Sequence, residues 1–285
     1  MLFFEILKSI LFGIVEGITE WLPVSSTGHM ILLDEFLSLK VGSPEFSAEF
    51  YSMFEVVIQL GAILAVIILF FGKLNPLSKK KALPEKKETW SLWFKVIVAI
   101  IPSAVVGILA DDLLDAYLGN YVTVAVALIV YGVAFILVEK KRNAIPTVVN
   151  TNSITYKTAF LIGAFQMLSL IPGTSRSGST ILGAMLLGLS RPAAAEFSFF
   201  MAIPTMVGAA LIRSLKFADY VFSESVAVPA EAWVVRAVGC VVAFAVSLAS
   251  IKFLMDFVKK HSFTSFGIYR IVLGIIVLAY FLVAR

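Results

Sequence analysis

Six side chains suited to phosphoryl chemistry fall within one short stretch of an apolar chain: Glu16, Glu20, Ser25, Ser26, Thr27 and His29. Glu16 and Glu20 are four residues apart, so on a helix they share a face and act on one object. Paired carboxylates suit a hard, oxygen-ligated divalent cation such as Mg2+ or Ca2+. Ser25, Ser26 and Thr27 follow Pro23 and precede a new helix, where hydroxyls cap and free N–H groups bind anions. His29 stands three residues after Ser26, one helical turn away, within reach of that hydroxyl or a bound phosphate. A histidine beside a hydroxyl is an activated-nucleophile pair. Against these stand blander readings: a hydrated helix end for the acids, capping alone for the serines, a satisfied polar pocket for His29.

A second cluster, Thr174, Ser175, Arg176, Ser177, Gly178, Ser179 and Thr180, follows Pro172-Gly173. An arginine among hydroxyls, glycines and free N–H groups makes a phosphate cradle. The alternative for Arg176 is an interfacial anchor, but it lies away from the lysine-rich loops. Glu55 and Gln59 share a face of one span and either line the same cavity or bond between helices. Glu196 reads as doing the same on the other side. His261 reads as solvated or lipid-facing, and Cys240 as packing.

The elements that carry these clusters belong to a membrane. The 285 residues are 60% hydrophobic and only 15% charged, where a soluble chain carries about 25% charged residues. Mean hydropathy is +0.96, and the apolar content runs along the whole length. The chain therefore reads as a single all-α, polytopic membrane domain. With one cysteine no disulfide forms within the chain. The net charge of +4 sits in short loops, so it signals topology and not nucleic acid. The amino-terminal stretch lacks a basic region and a cleavage site, so insertion without processing is expected.

Six apolar runs read as spans: 53–71, 94–110, 122–138, 197–212, 233–254 and 271–283. Two further pairs do not: 2–20, cleanly apolar only over 10–15, with 30–39, and 158–170 with 181–189, each broken at one of the polar clusters. They read as re-entrant hairpins, which survive at depth only if buried in protein or lining a watery cavity. The connections at 73–92, 140–157 and 256–268 are basic and read as cytoplasmic; those at 111–120 and 217–231 are acidic and read as facing out. Lys259, Lys260 and Arg270 are taken to flank one cytoplasmic loop. The two hairpins then enter from opposite faces, as an inverted-topology repeat requires, with one copy at about 1–140 and the other at about 157–285. Gly13 to Glu16 matches Gly163 to Gln166 at an offset of 150, whereas Pro23 to Gly28 matches Pro172 to Gly178 with one extra residue.

Three stretches, Glu16 to His29, Phe54 to Ala62 and Pro172 to Thr180, resemble the undecaprenyl-diphosphate phosphatase family of the BacA type. The resemblance extends over nearly the whole chain and implies an integral enzyme of the bacterial plasma membrane. Such an enzyme removes the terminal phosphate of a C55 polyprenyl diphosphate, with a divalent cation and an extracytoplasmic site. The resemblance implies Glu16 and Glu20 as the acidic pair, Ser26 and His29 as the reactive hydroxyl and histidine, and Arg176 as the diphosphate ligand. Ser175 and Thr180 would assist. Whether Ser26, His29 or a water attacks stays open, and a homodimer is left open. The string ending in Gly28-His29 is also similar to phosphatases of the type-2 phosphatidic acid phosphatase family, but those need a second histidine in its own motif, and His261 has no such context. The rival from another class is a polyprenyl-phosphate flippase or ion-coupled transporter, since broken helices in inverted repeats suit carriers.

Overall fold

The computed structural model describes residues 2–141 and 146–284. Arg142, and the side chains of Asp111, Asp112 and Asp115, lie outside the described residues. Among the described residues eleven α-helices follow one another: α1 Leu2–Thr19, α2 Ser26–Leu37, α3 Pro44–Leu69, α4 Phe71–Leu74, α5 Leu83–Leu118, α6 Tyr121–Lys141, α7 Tyr156–Met167, α8 Arg176–Leu186, α9 Arg191–Ser223, α10 Ala230–Lys260 and α11 Thr264–Ala284. Six of them, α3, α5, α6, α9, α10 and α11, are long and apolar enough to cross a membrane. They contain five of the six runs expected from hydropathy, and all of the first, 53–71, except its last two residues, since α3 stops at Leu69.

The helices extend well beyond those runs. α3 begins at Pro44 behind the capping hydroxyl of Ser43, whose side chain accepts from the Phe46 N–H at 3.2 Å. Much of the lysine-rich connection is the start of α5, and the acidic connection after Ala110 is its end. Arg270, assigned above to a loop margin, lies inside α11. Hydropathy marks only the lipid-facing middle of a helix, whereas caps and turns decide where it stops. Pro102 and Pro204 sit within α5 and α9, as proline is tolerated where neighbours re-satisfy the freed backbone group.

Helices of the first part of the chain pack against helices of the second. α1 lies along α10 and α7 lies along α5, while α3 packs on α9 and α6 on α11. Both short helices press glycine against a backbone. A Cβ on Gly13 would stand 2.8 Å from the Gly239 carbonyl oxygen, and one on Gly163 only 1.8 Å from that of Ala99. Small residues that let backbones approach are how helices associate without a hydrophobic drive between them. The interior is filled from both halves: Trp21, Phe197, Phe199 and Phe200 share one cluster, Phe12, Phe50 and Phe54 another. Ile97, Ile101, Val130, Val241 and Ile275 face outward, where lipid would lie.

Candidate active site

The two breaks are built alike. α1 stops at Thr19 and α2 starts at Ser26; a 3-10 turn ends at Leu170 and α8 starts at Arg176. Ser25 and Ser175 precede the helix starts with φ of 72° and 73°. The Gly28 N–H donates to the Ser25 hydroxyl at 3.4 Å, and the Gly178 N–H to that of Ser175 at 3.1 Å. These pairs are all 150 positions apart, so the second motif aligns without the extra residue inferred from Pro172.

Glu20 joins the breaks. Its Oε2 accepts from the Ser26 hydroxyl at 2.9 Å. Its Oε1 accepts from Arg176 Nη2 at 3.0 Å and Nε at 3.3 Å. Arg176 also donates through Nη1 to the Ser198 carbonyl at 2.8 Å. Carboxylate and guanidinium are both largely enclosed, so each relieves the burial of the other. The Ser177 hydroxyl donates to the Glu20 carbonyl at 3.0 Å and locks the breaks together behind them. Glu20, Ser26 and Arg176 therefore meet, as their residue types suggested.

His29 is turned elsewhere. Its Nδ1 lies 2.7 Å from the Ser25 carbonyl, which only accepts, so Nδ1 carries the hydrogen. Its Nε2 then accepts from the Tyr269 hydroxyl at 2.6 Å, and the two rings stack at 5.6 Å. Of the two partners read for His29, the Ser26 hydroxyl or a bound phosphate, the hydroxyl is bonded to Glu20 instead. Helical spacing sets which backbones are neighbours, not which way an imidazole rotates. The hydroxyls of Thr180, Ser175 and Ser177 are already engaged by protein. Thr180, fully buried, bonds the Arg176 carbonyl at 2.9 Å and the Ser198 hydroxyl at 2.6 Å. The Thr174 side chain is buried, Ser175 and Ser177 lie 3.2 Å apart, and Thr27 is exposed. Glu196 bonds Lys73 and Thr151, away from this group.

A family model described as bacitracin resistance protein BacA matches residues 9–276. The chain belongs to the BacA family. It is 53% identical over 283 residues to the undecaprenyl-diphosphatase of Enterococcus faecalis strain V583, covering 99% of both chains. It is 57% identical over 277 residues to undecaprenyl-diphosphatase 1 of Clostridioides difficile strain 630, covering 97% of this chain and 96% of that one. The undecaprenyl-diphosphatase of Limosilactobacillus fermentum is 54% identical over 278 residues.

In this BacA-family chain, α11 supplies two site residues that the sequence reading missed, Tyr269 and Arg270. Arg270 is fully buried. It donates to the Pro23 carbonyl at 3.2 Å from Nη1 and to those of Gly173 and Thr174 at 2.9 Å from Nη2. The signal available was weak: one arginine six residues into an apolar helix, near enough to a loop to pass for an anchor.

Glu16 is 1% exposed, has Glu20 and Glu55 as electrostatic neighbours, and its Oε1 meets no hydrogen-bond partner. A buried, unsatisfied oxygen beside like charges is costly and fits a cation. Among the described residues no group of three or more His, Cys, Asp or Glu is placed to hold a metal. A two-carboxylate site completed by water and substrate phosphate is the usual arrangement for Mg2+.

Proposed function

We propose that the protein hydrolyses undecaprenyl diphosphate to undecaprenyl phosphate and inorganic phosphate, recycling the lipid carrier of cell-wall synthesis. The relatives named as undecaprenyl-diphosphatases support this, since they match over nearly the full length. One observation carries the chemistry. A hydroxyl, a carboxylate and a guanidinium from two separate breaks form one continuous hydrogen-bonded chain, Ser26–Glu20–Arg176.

Ser26 Oγ attacks the outer phosphorus while Glu20 accepts its proton, in the manner of a nucleophile and its adjacent base. The Ser26–phosphorus bond forms as the anhydride bond breaks, and polyprenyl phosphate leaves as the anion. Arg176 exchanges its bond to Glu20 for the phosphoryl oxygens, where fixed donors stabilise developing charge. The N–H groups at the starts of α2 and α8 add to that cradle. Water then hydrolyses the phosphoserine. Glu16 and Glu20 would hold a divalent cation, which when bound screens the diphosphate charge. His29, held by Ser25 and Tyr269, lies one turn beyond Ser26.

We read the two breaks as halves of an inverted repeat, supported by the matched serine caps and the exchanged packing of α1 on α10 and α7 on α5. The acidic connections, read as facing out, support a head group on the extracytoplasmic side. Phosphate release from farnesyl diphosphate by the purified protein in detergent, with Mg2+ or Ca2+ supplied, tests the activity. A folded preparation that releases none, from this or a longer polyprenyl diphosphate, overturns the reading.

A further inference from the structure

Arg270 is the one Asp, Glu, Lys or Arg residue in α11. A guanidinium at 0% exposure within a membrane helix is expensive unless its donors are met. Here none of its hydrogen bonds goes to a carboxylate. The acceptors are three backbone carbonyls, Pro23 of the first break and Gly173 and Thr174 of the second. The Tyr131 ring lies 5.4 Å from the guanidinium carbon. Gly178 leaves the space it needs, since a Cβ there would stand 3.1 Å from Nη1. One side chain thus grips, from behind, both segments that lead into the reacting helix starts.

The consequence lies on the opposite side of the peptide. In a trans peptide the C=O and N–H point in opposite directions. With the Thr174 carbonyl held by Arg270, the Ser175 N–H is aimed away from it, immediately before Arg176. That N–H has no hydrogen-bond partner among the described residues. Ser175 also sits at a φ of 73°, a conformation that a non-glycine residue keeps only when its surroundings hold it there.

We propose that Arg270 is a positioning residue of the phosphatase reaction. It fixes the Thr174–Ser175 peptide so that the Ser175 N–H donates to the phosphoryl oxygens in the transition state. Through Pro23 it also holds that donor in register with Ser26. The proposal rests on the phosphatase reading, and the experiment separates the two.

Full-length wild type, Arg270→Lys and Arg270→Ala are purified in detergent and assayed for phosphate release from farnesyl diphosphate, with melting followed in parallel. Loss of one preorganised donor lowers kcat by about 100-fold or more. The expectation is a fall of that size in both folded variants, with KM within about threefold of wild type. Lysine does not rescue, because one ammonium cannot reach both breaks. Added methylguanidinium restores kcat to Arg270→Ala, and methylammonium does not. Wild-type kcat in either folded variant overturns the proposal and leaves the phosphatase reading standing. Loss of kcat only in proportion to unfolded protein, with no rescue by methylguanidinium, overturns it too. A wild type that releases no phosphate instead rejects the phosphatase reading.

Discussion

Ser25 and Ser175, 150 positions apart, share one left-handed backbone conformation and one capping bond, each accepting from the glycine N–H three residues on. Such a φ is strained for any side chain, and most for a β-branched one. Ser175→Gly is therefore expected to retain the fold with a small loss from the missing cap. Ser175→Ala should cost about 1 kcal/mol for the cap, and Ser175→Val a further 1–3 kcal/mol or so for the strain. Melting of the three variants in detergent checks the order Gly, Ala, Val.

Glu20 accepts from both Ser26 and Arg176, so removing its charge disturbs nucleophile and cradle together. Glu20→Gln keeps the shape and removes the base. Turnover of farnesyl diphosphate should fall by about 10²–10⁴-fold, and the loss should persist when rates are scaled to the folded fraction. A variant with normal turnover would remove Glu20 from the chemistry.

Ser26→Ala and Tyr269→Phe should separate two roles. Ser26→Ala deletes the attacking oxygen and should abolish phosphate release, and no phosphoserine should be trapped by acid quench. Tyr269→Phe keeps the ring stacked on His29 and deletes one hydrogen bond, which is worth about 1 kcal/mol. Its turnover should fall by no more than about tenfold. Steady-state rates on the two variants decide it.

The unpartnered Glu16 oxygen makes the cation requirement testable. Chelation should abolish phosphate release, and added Mg2+ or Ca2+ should restore it. Glu16→Gln should shift the cation concentration for half-maximal rate upward by about tenfold or more, the size of effect expected when a carboxylate ligand is neutralised. Unchanged turnover in chelator would sink the two-carboxylate cation site.

Packing gives a last prediction. A Cβ at position 163 would lie 1.8 Å from the Ala99 carbonyl oxygen, and the opposing group is backbone. Gly163→Ala should force α7 away from α5 and destabilise the protein by about 1–3 kcal/mol or more. Gly72→Ala, with nothing near the added carbon, should leave melting unchanged.

The residues legible in the sequence are those that violate the surrounding composition. Glu20, Ser26 and Arg176 stand out because polar groups amid apolar helices demand a reason, and the structure brings them within hydrogen-bond distance. Span cores were legible for the same reason. The ends were not: the run at 197–212 lies inside a helix reaching Ser223, because nothing in hydropathy marks a cap. Arg270 was missed because a lone arginine near a loop has an ordinary explanation, and only three-dimensional contact shows it bonded to three carbonyls on two distant segments. His29 was found but misdirected, since its partner Tyr269 is 240 residues away and no local spacing reports it.

The ion pair between Glu20 and Arg176 gives the reaction centre an electrical rest position. While it is closed, the cradle carries little net charge and offers little to a stray anion. On the proposed mechanism a diphosphate, with two neighbouring anionic groups, would outcompete the carboxylate for the guanidinium. Inorganic phosphate, left alone after the second step, would offer only one. Glu20 would then regain Arg176, and the contact that joins the two breaks would reset the site between turnovers.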